Sequence, residues 1–201
     1  MYGWLIAYWV FFGAVHSILA AEPVKHLFSR IMGRYFRYYR FGYSIIAFLI
    51  LGGICWFQYN RPDHLLFATP QWVRVAAILQ MIPALIIMGI SIQKYFFYLS
   101  GIDVFFASKQ SFNTLQTGGL NRFVRHPLYT GTILLVICLF FLFPATGNLI
   151  SASMIILYTC IGTLFEEKKL RRIFGEAYIQ YQQRVPMLLP FPKKKHQNNP
   201  L

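Results

Sequence analysis

Charged side chains are scarce in this chain of 201 residues. Asp, Glu, Lys and Arg together make up 12% of the sequence, whereas a soluble domain averages about 25%. Only six residues are acidic, 57% are hydrophobic, and the mean hydropathy is +0.49. Too few charges are present to cover the surface of a soluble domain, so we interpret the chain as an integral membrane protein.

Cysteine is also rare, with three residues at Cys55, Cys138 and Cys160. Each lies within an apolar stretch, and no two have the C-x-x-C spacing of a redox or metal motif. This pattern excludes a disulfide framework and a cysteine-based metal site. We predict no metal cofactor.

The sequence lacks basic runs interleaved with exposed aromatic residues in a polar domain. The net charge is +13, but the basic residues flank apolar segments. Positive charge beside membrane spans is an orientation signal. We therefore predict that the bilayer, and not a nucleic acid, is the partner of this charge.

Five apolar stretches are long enough to cross a bilayer, at about 2–21, 41–58, 72–98, 127–143 and 149–165. They predict an all-α integral membrane protein with about five transmembrane helices in a single domain. Within it, 1–98 would hold three spans, 99–191 a functional region with a helical hairpin at 127–165, and 192–201 a polar tail. No Lys or Arg precedes the first stretch, which we read as a retained span rather than a signal peptide.

Basic residues are distributed unevenly between the two sides of these spans. Loops 22–40 and 94–126 and the tail after Glu167 hold 17 of the 19 Lys and Arg residues, and only Arg61 and Arg74 fall on the other side. The positive-inside rule then predicts an external N-terminus and a cytoplasmic C-terminus.

The tail has a helical apolar stripe, which faces away from Lys169, Arg172 and Gln180. Its spacing of i, i+3, i+4, i+7, i+8 and i+11 predicts an amphipathic helix on the cytoplasmic surface, ended by Pro186 and Pro190. The stripe consists of Leu170, Ile173, Phe174, Ala177, Tyr178 and Tyr181.

Polar groups collect at one end of the predicted hairpin. His126 and the pair Glu166 and Glu167 each lie about 20 residues from the middle of the breaker around Pro144 and Gly147, so nearly equal helical arms bring them to nearly the same depth. Tyr129, three residues beyond His126, lies on the same helix face. Ionisable groups in a membrane are functional candidates by default, although each of these alone is compatible with an ordinary interfacial residue.

Two further residues have alternative interpretations. His16 lies inside the first span, where it either hydrogen-bonds a neighbouring helix or lines a substrate pocket. Lys94 ends the third span and either snorkels to the interface or contacts a carboxylate of a bound cofactor.

Three segments in order carry a family resemblance: GGLNRFVRHPLYTG at 118–131, the hairpin, and EEKKLRRIFGEAYIQYQQRVPMLLPF at 166–191. They resemble the isoprenylcysteine carboxyl methyltransferases, a family related to the phospholipid N-methyltransferases. The segment GAVHSILAAEPVK at 13–25 is similar to small bacterial members of that superfamily, some of which methylate small thiols.

The resemblance implies a methyltransferase that uses S-adenosylmethionine within the membrane. It places Gly119, His126, Tyr129, Glu166 and Glu167 at the cofactor, without deciding which glutamate makes the contact. Arg125 and Arg184 would position the acceptor at the reacting centre. The acceptor stays open between a lipophilic thioether acid such as an isoprenylcysteine carboxylate, a small thiol, and an amine-bearing lipid.

Two other classes of protein compete with this interpretation. A reductase with a nicotinamide cofactor, similar to the sterol reductases, would need a longer and more basic loop than 99–124. A transporter or channel component would show charges near the middle of several spans and an internal repeat, and a non-catalytic scaffold would not need His126 and the Glu pair together. Only His16 lies deep in a span, and no repeat is present.

Overall fold

The computed structural model describes residues 2–100 and 114–190, with the backbone alone for 95–100. Six α-helices follow one another: α1 (Gly3–Ala20), α2 (Glu22–Met32), α3 (Tyr39–Tyr59), α4 (Gln71–Ser100), α5 (Pro127–Leu142) and α6 (Thr146–Arg184). Short 3-10 segments at Gly33–Tyr38 and Gly119–Arg122 lie between them. Apart from one isolated bridge between Leu65 and Ala145, the described residues form helices and loops.

The all-α membrane class is confirmed. Among the described residues, four helical stretches are long and apolar enough to cross a membrane: Gly3–Ala20, Glu22–Tyr59, Gln71–Lys94 and Thr146–Arg184. The fourth predicted span is α5, a shorter apolar helix, so the count of five spans stays a prediction. Large apolar side chains such as Phe48 and Trp72, each about three-quarters exposed, cover the outside of the helices, as a lipid-facing surface requires.

The segment 22–40, which we predicted to be a loop, is largely helical. Glu22 lies in the first turn of α2, where its charge favours the helix dipole, and Pro23 follows at a position that tolerates proline. Gly33 ends the helix with a φ of 50°, a conformation that other residues rarely adopt. The basic residues of this segment therefore lie on α2, on the 3-10 segment that follows it and in the first turn of α3.

Two helix pairs organise the bundle. α1 runs parallel to α6, and the Trp9 indole donates a 2.9 Å hydrogen bond to Ser151 Oγ. α4 packs closely on α5 at Gly131, where a Cβ would lie 2.7 Å from Met88 Cγ and 3.1 Å from the carbonyl oxygen of Ala84. A glycine is needed there because any side chain would push the two helices apart.

The turn between α5 and α6 is held by the loop that follows α3. Leu66 N–H donates to the Pro144 carbonyl (2.8 Å), and Thr146 N–H donates to the His64 carbonyl (3.0 Å). The Asp63 carboxylate accepts the Gly147 N–H at the start of α6, where a negative charge is favourable. The hairpin predicted from the sequence is confirmed, and its turn is secured at this end of the bundle.

α6 continues well past the predicted fifth span. Gly175 interrupts its regular geometry with a φ of 53°. The helix ends at Arg184, and Val185 is extended, as expected for a residue before proline. The predicted surface location of this last part of α6 stays a prediction.

Candidate functional site

The hairpin brings the imidazole and the two carboxylates together, as predicted. His126 precedes Pro127 at the start of α5, and its Nε2 lies 2.6 Å from Glu167 Oε1. Its Nδ1 lies 3.6 Å from Glu166 Oε2. The two glutamates, adjacent on α6, therefore lie on either side of one histidine ring.

Glu167 is the centre of a buried network. Arg125 donates to both carboxylate oxygens, from Nε at 2.9 Å and from Nη2 at 2.7 Å. Tyr178 Oη donates at 2.6 Å, and the Gln182 amide donates to the second oxygen. The side chain is only 6% exposed, so a buried charge is compensated by four neighbouring side chains, including His126.

This network sets the protonation of its members. Burial raises the pKa of Glu167, but the hydrogen bonds from Arg125, Tyr178, His126 and Gln182 outweigh this effect and lower the pKa to about 2. Glu167 is therefore ionised at neutral pH and can only accept, so His126 must carry its proton on Nε2. Burial and the bond to Glu167 raise the pKa of Tyr178, whose hydroxyl remains a donor.

The segment after α6 docks on the start of α5. Arg125 N–H donates to the Pro186 carbonyl (2.9 Å) and His126 N–H to the Met187 carbonyl (3.2 Å). The Arg125 guanidinium also donates to the Val185 carbonyl at 2.5 Å. The segment provides only acceptors in these bonds, and a proline can take part because it keeps its carbonyl although it has no N–H. Two motifs almost 60 residues apart in sequence thus form one unit.

A cavity of about 600 Å³ opens beside this unit. Its walls come from the end of α1, the start of α2, residues 114–129 and residues 165–181 of α6. This volume is within the range of about 300–1,000 Å³ that is typical of ligand sites. Most of the predicted apolar stripe of the tail faces this cavity, at Leu170, Ile173, Phe174, Tyr178 and Tyr181.

Glu166 and Tyr129 line the cavity directly. The Glu166 side chain is 41% exposed, in contrast to its buried neighbour Glu167. The Tyr129 ring stacks on His126 with 5.6 Å between centroids and 15° between planes, and its hydroxyl interacts with Glu166. A ligand in the cavity would therefore meet an aromatic ring and an available carboxylate.

The other predicted site residues differ in their relation to the cavity. Arg125 lines it, but its guanidinium is engaged with Glu167. Gly119 is exposed in the 3-10 segment with a φ of 62°. Arg184 is exposed at the end of α6. Neither of these last two is among the described residues that line the cavity.

The sequence analysis did not predict the hydrogen bonds of Asn121 that support this network. Asn121 is buried, donates to the Arg125 carbonyl (3.0 Å) and accepts the Tyr181 hydroxyl at its own carbonyl (2.6 Å). Lys94 donates to its side chain at 3.4 Å. The available signal was the pair of tyrosine hydroxyls within an otherwise apolar stripe, because buried hydroxyls require partners.

Two lysines also line the cavity. Lys25 of α2 and Lys169 of α6 both face the cavity, and both donate to Glu22, at 3.2 and 3.0 Å. The hydrogen bonds from Lys169 and Lys25 lower the pKa of Glu22. The cavity wall thus presents two ammonium groups and the Glu166 carboxylate, which suits a ligand with a carboxylate and an ammonium group.

Comparisons with known proteins identify the family of the chain. The family model described as NnrU protein matches residues 4–190. Methanethiol S-methyltransferase of Crocosphaera subtropica is 39% identical over 82 residues, which cover 40% of this chain and 31% of that protein. The methanethiol S-methyltransferase of Pseudomonas deceptionensis is 38% identical over 91 residues, 44% of this chain and 33% of that protein.

A third relative, methanethiol S-methyltransferase 1 of Bradyrhizobium diazoefficiens, is 40% identical over 78 residues, 38% of this chain and 26% of that protein. The matched stretches thus span a third or less of the length of these relatives. No solved structure matches the chain significantly. These findings confirm the predicted resemblance to the integral membrane methyltransferases.

Proposed function

Because the chain belongs to the NnrU protein family, we propose that it is an integral membrane methyltransferase that moves a methyl group from S-adenosylmethionine to a thiol. The relatives named as methanethiol S-methyltransferases favour a thiol over the carboxylate or amine acceptors that the sequence left open. The observation that carries the proposal is the cavity beside the RHP turn, with Glu166 and Tyr129 in its wall.

The cavity fits the methyl donor in size and chemistry. Glu166 would accept hydrogen bonds from the amino group or the ribose hydroxyls, and Lys169 and Lys25 would bind the carboxylate. Phe174 and Tyr129 offer aromatic surface for the adenine ring. Charged groups that form such bonds are stronger partners than neutral ones.

Glu167 would act on the donor only indirectly. It accepts hydrogen bonds from Arg125, His126, Tyr178 and Gln182. It therefore fixes the His126 ring, on which Tyr129 stacks. We assign Arg125 the same positioning role, since its guanidinium is engaged with Glu167. For Arg184 and Gly119, the roles at the acceptor and at the cofactor stay predictions.

The protein mainly has to align two reactants. The donor supplies an electrophilic methyl group on a positively charged sulfur. Because that charge disappears as the methyl group moves, an apolar surrounding does not oppose the reaction. Holding donor and acceptor in line can contribute about 7–11 kcal/mol in favourable cases.

We also propose that the cavity opens on the cytoplasmic side, where 17 of the 19 basic residues would lie. A polar donor would enter from water, and an apolar acceptor would enter from the bilayer. A protease-cleavable tag at the C-terminus should then be cleaved in inverted membrane vesicles and protected in intact cells.

The function is tested by binding of radiolabelled S-adenosylmethionine to the detergent-purified protein, followed by transfer to a small alkanethiol. Glu166→Gln should weaken donor binding about 10- to 100-fold, as expected for one charge-assisted hydrogen bond of about 1.5–3 kcal/mol. Asp63→Asn, at the opposite end of the hairpin, is the matched carboxylate control. Binding of a reduced nicotinamide dinucleotide in place of the labelled donor would favour the reductase instead.

A further inference from the structure

His16 is a half-buried polar residue that takes no part in the network at Glu167. It lies on α1, four residues before the helix ends at Ala20. Its Nδ1 is inaccessible to solvent and has no hydrogen-bond partner in the part of the chain that the structure describes. Because buried polar atoms are normally paired, an unpaired imidazole nitrogen requires an explanation.

Aromatic rings surround this histidine. Phe12 stacks on it at 5.9 Å between ring centroids, and Tyr43 and Tyr158 meet it edge-on at 6.2 Å. These rings come from α1, α3 and α6, so His16 lies where three helices meet. The surroundings are apolar apart from the tyrosine hydroxyls and Ser17, whose Oγ lies 3.2 Å from the Tyr158 hydroxyl.

His16 is not among the described residues that line the cavity, but it lies one helical turn from the cavity wall at Ala20. Ala20, which lines the cavity, is one turn after His16 on the same face of α1. Phe165, which also lines it, is two turns after Tyr158 on α6. Since α1 and α6 run parallel, His16 is about one helical turn, roughly 5–6 Å, deeper than the cavity wall.

Tyr129 interacts with residues both at the cavity and beside His16. Its ring lines the cavity, and its hydroxyl interacts electrostatically with both Glu166 and Tyr158. A small apolar acceptor that enters past Tyr129 would therefore reach the imidazole while the donor occupies the wider part of the cavity near Glu166.

We propose that the inner end of the cavity is the acceptor site and that His16 is the base that deprotonates a small alkanethiol there. The inference rests on the proposed methyltransferase function. Thiols react as thiolates, and an alkanethiol with a pKa near that of cysteine, about 8.5, is mostly protonated at pH 7. Imidazole is the side chain best suited to accept a proton at that pH.

The step balances without another reactant. The thiol proton moves to the imidazole of His16, and the thiolate sulfur forms a bond to the methyl carbon. The bond between that carbon and the donor sulfur breaks, and its electron pair neutralises the sulfonium. The products are the methylated thiol, which is a thioether, and the demethylated donor, which is a neutral thioether. The proton remains on the histidine.

The test compares two thiols in the His16→Phe variant, which keeps a planar ring among the aromatic neighbours. An ethanethiol substrate needs the base, so its turnover should fall about 100-fold or more. A thiophenol substrate, whose thiol is far more acidic, should lose less than about threefold. His64→Phe, the same exchange at an exposed histidine on the opposite side of the bundle, should leave both rates unchanged.

A second readout does not depend on turnover. In protein with 13C-labelled histidine, the resonance that disappears in His16→Phe should shift when ethanethiol is added without donor, and the His64 resonance should not. Equal losses for both thiols, or no loss for either, would overturn the assignment of His16 as a base. Wild-type protein that binds the donor but methylates no thiol would overturn the thiol acceptor and this inference together.

Discussion

Exchanging Glu167 for glutamine should destabilise the protein far more than the same exchange at Glu166. The two residues are adjacent on α6, and each exchange removes one negative charge with almost no change in shape. Glu167 is buried and hydrogen-bonded to four side chains, whereas Glu166 is 41% exposed on the cavity wall. The pair is therefore a matched comparison of network and ligand contact.

The expected size follows from the charge that is left behind. In Glu167→Gln the Arg125 guanidinium, with its side chain 7% exposed, remains buried without its counter-ion. Removing one partner of a buried ion pair costs about 3–5 kcal/mol. The lowered pKa of Glu167, about 2 against 4.5, gives a similar figure of roughly 3 kcal/mol at 1.36 kcal/mol per unit.

Thermal unfolding in detergent, followed by tryptophan fluorescence, measures the difference. For a chain of this size about 3–5 kcal/mol corresponds to a fall in melting temperature on the order of 10 °C. Glu166→Gln should stay within about 3 °C of the parent protein and lose donor binding instead. Similar melting temperatures for both variants would refute the view that Glu167 holds the hairpin together.

The same network predicts a dependence on pH. Because the pKa of Glu167 is lowered on folding, its contribution to stability is complete above about pH 4.5 and is lost as the pH falls toward 2. Melting temperatures measured across this range should therefore fall less in Glu167→Gln than in the parent protein. Parallel curves for the two proteins would contradict the assignment. Gly131→Val should cost about 1–3 kcal/mol by overpacking, since a Cβ at this position would lie 2.7 Å from Met88 Cγ. Exchange of the exposed Gly3, which has open space around it, is the control for Gly131, and equal melting temperatures for the two variants would exclude close packing of α4 on α5.

Periodicity and charge scarcity were sufficient for the class of the protein. Long apolar runs bounded by basic residues allow only helices in a bilayer, because each helix satisfies its own backbone hydrogen bonds. The nearly equal distance of His126 and Glu167 from the middle of the breaker around Pro144 and Gly147 was sufficient to predict that they meet. Helical rise converts that count directly into depth.

Other features were not predicted from the sequence, in part because they depend on neighbours distant in sequence. The segment 22–40 was predicted as a loop from its charges, yet its polar face and its Gly33 stop are compatible with a short helix outside the spans. The tail stripe was predicted to lie at the membrane surface, which stays a prediction, and its place in the cavity wall was not foreseen. An apolar stripe predicts that a helix face is covered without identifying what covers it.

The different tasks of the two glutamates also depend on the fold. In sequence they are equivalent neighbours, and successive residues on a helix point about 100° apart. That rotation turns Glu167 toward Arg125 and Tyr178 and leaves Glu166 on the cavity wall. Likewise, a histidine inside an apolar span becomes informative only when its Nδ1 is found without a partner.

The amino-acid sequence by itself determined that this chain forms membrane helices and that a histidine and two acidic residues share one end of a hairpin, because hydropathy and helical rise are local properties. Only the tertiary structure decided which carboxylate is buried and which is available to a ligand. Burial and hydrogen bonding are set by segments up to 60 residues away, such as the carbonyls of 185–188 that dock on the RHP turn.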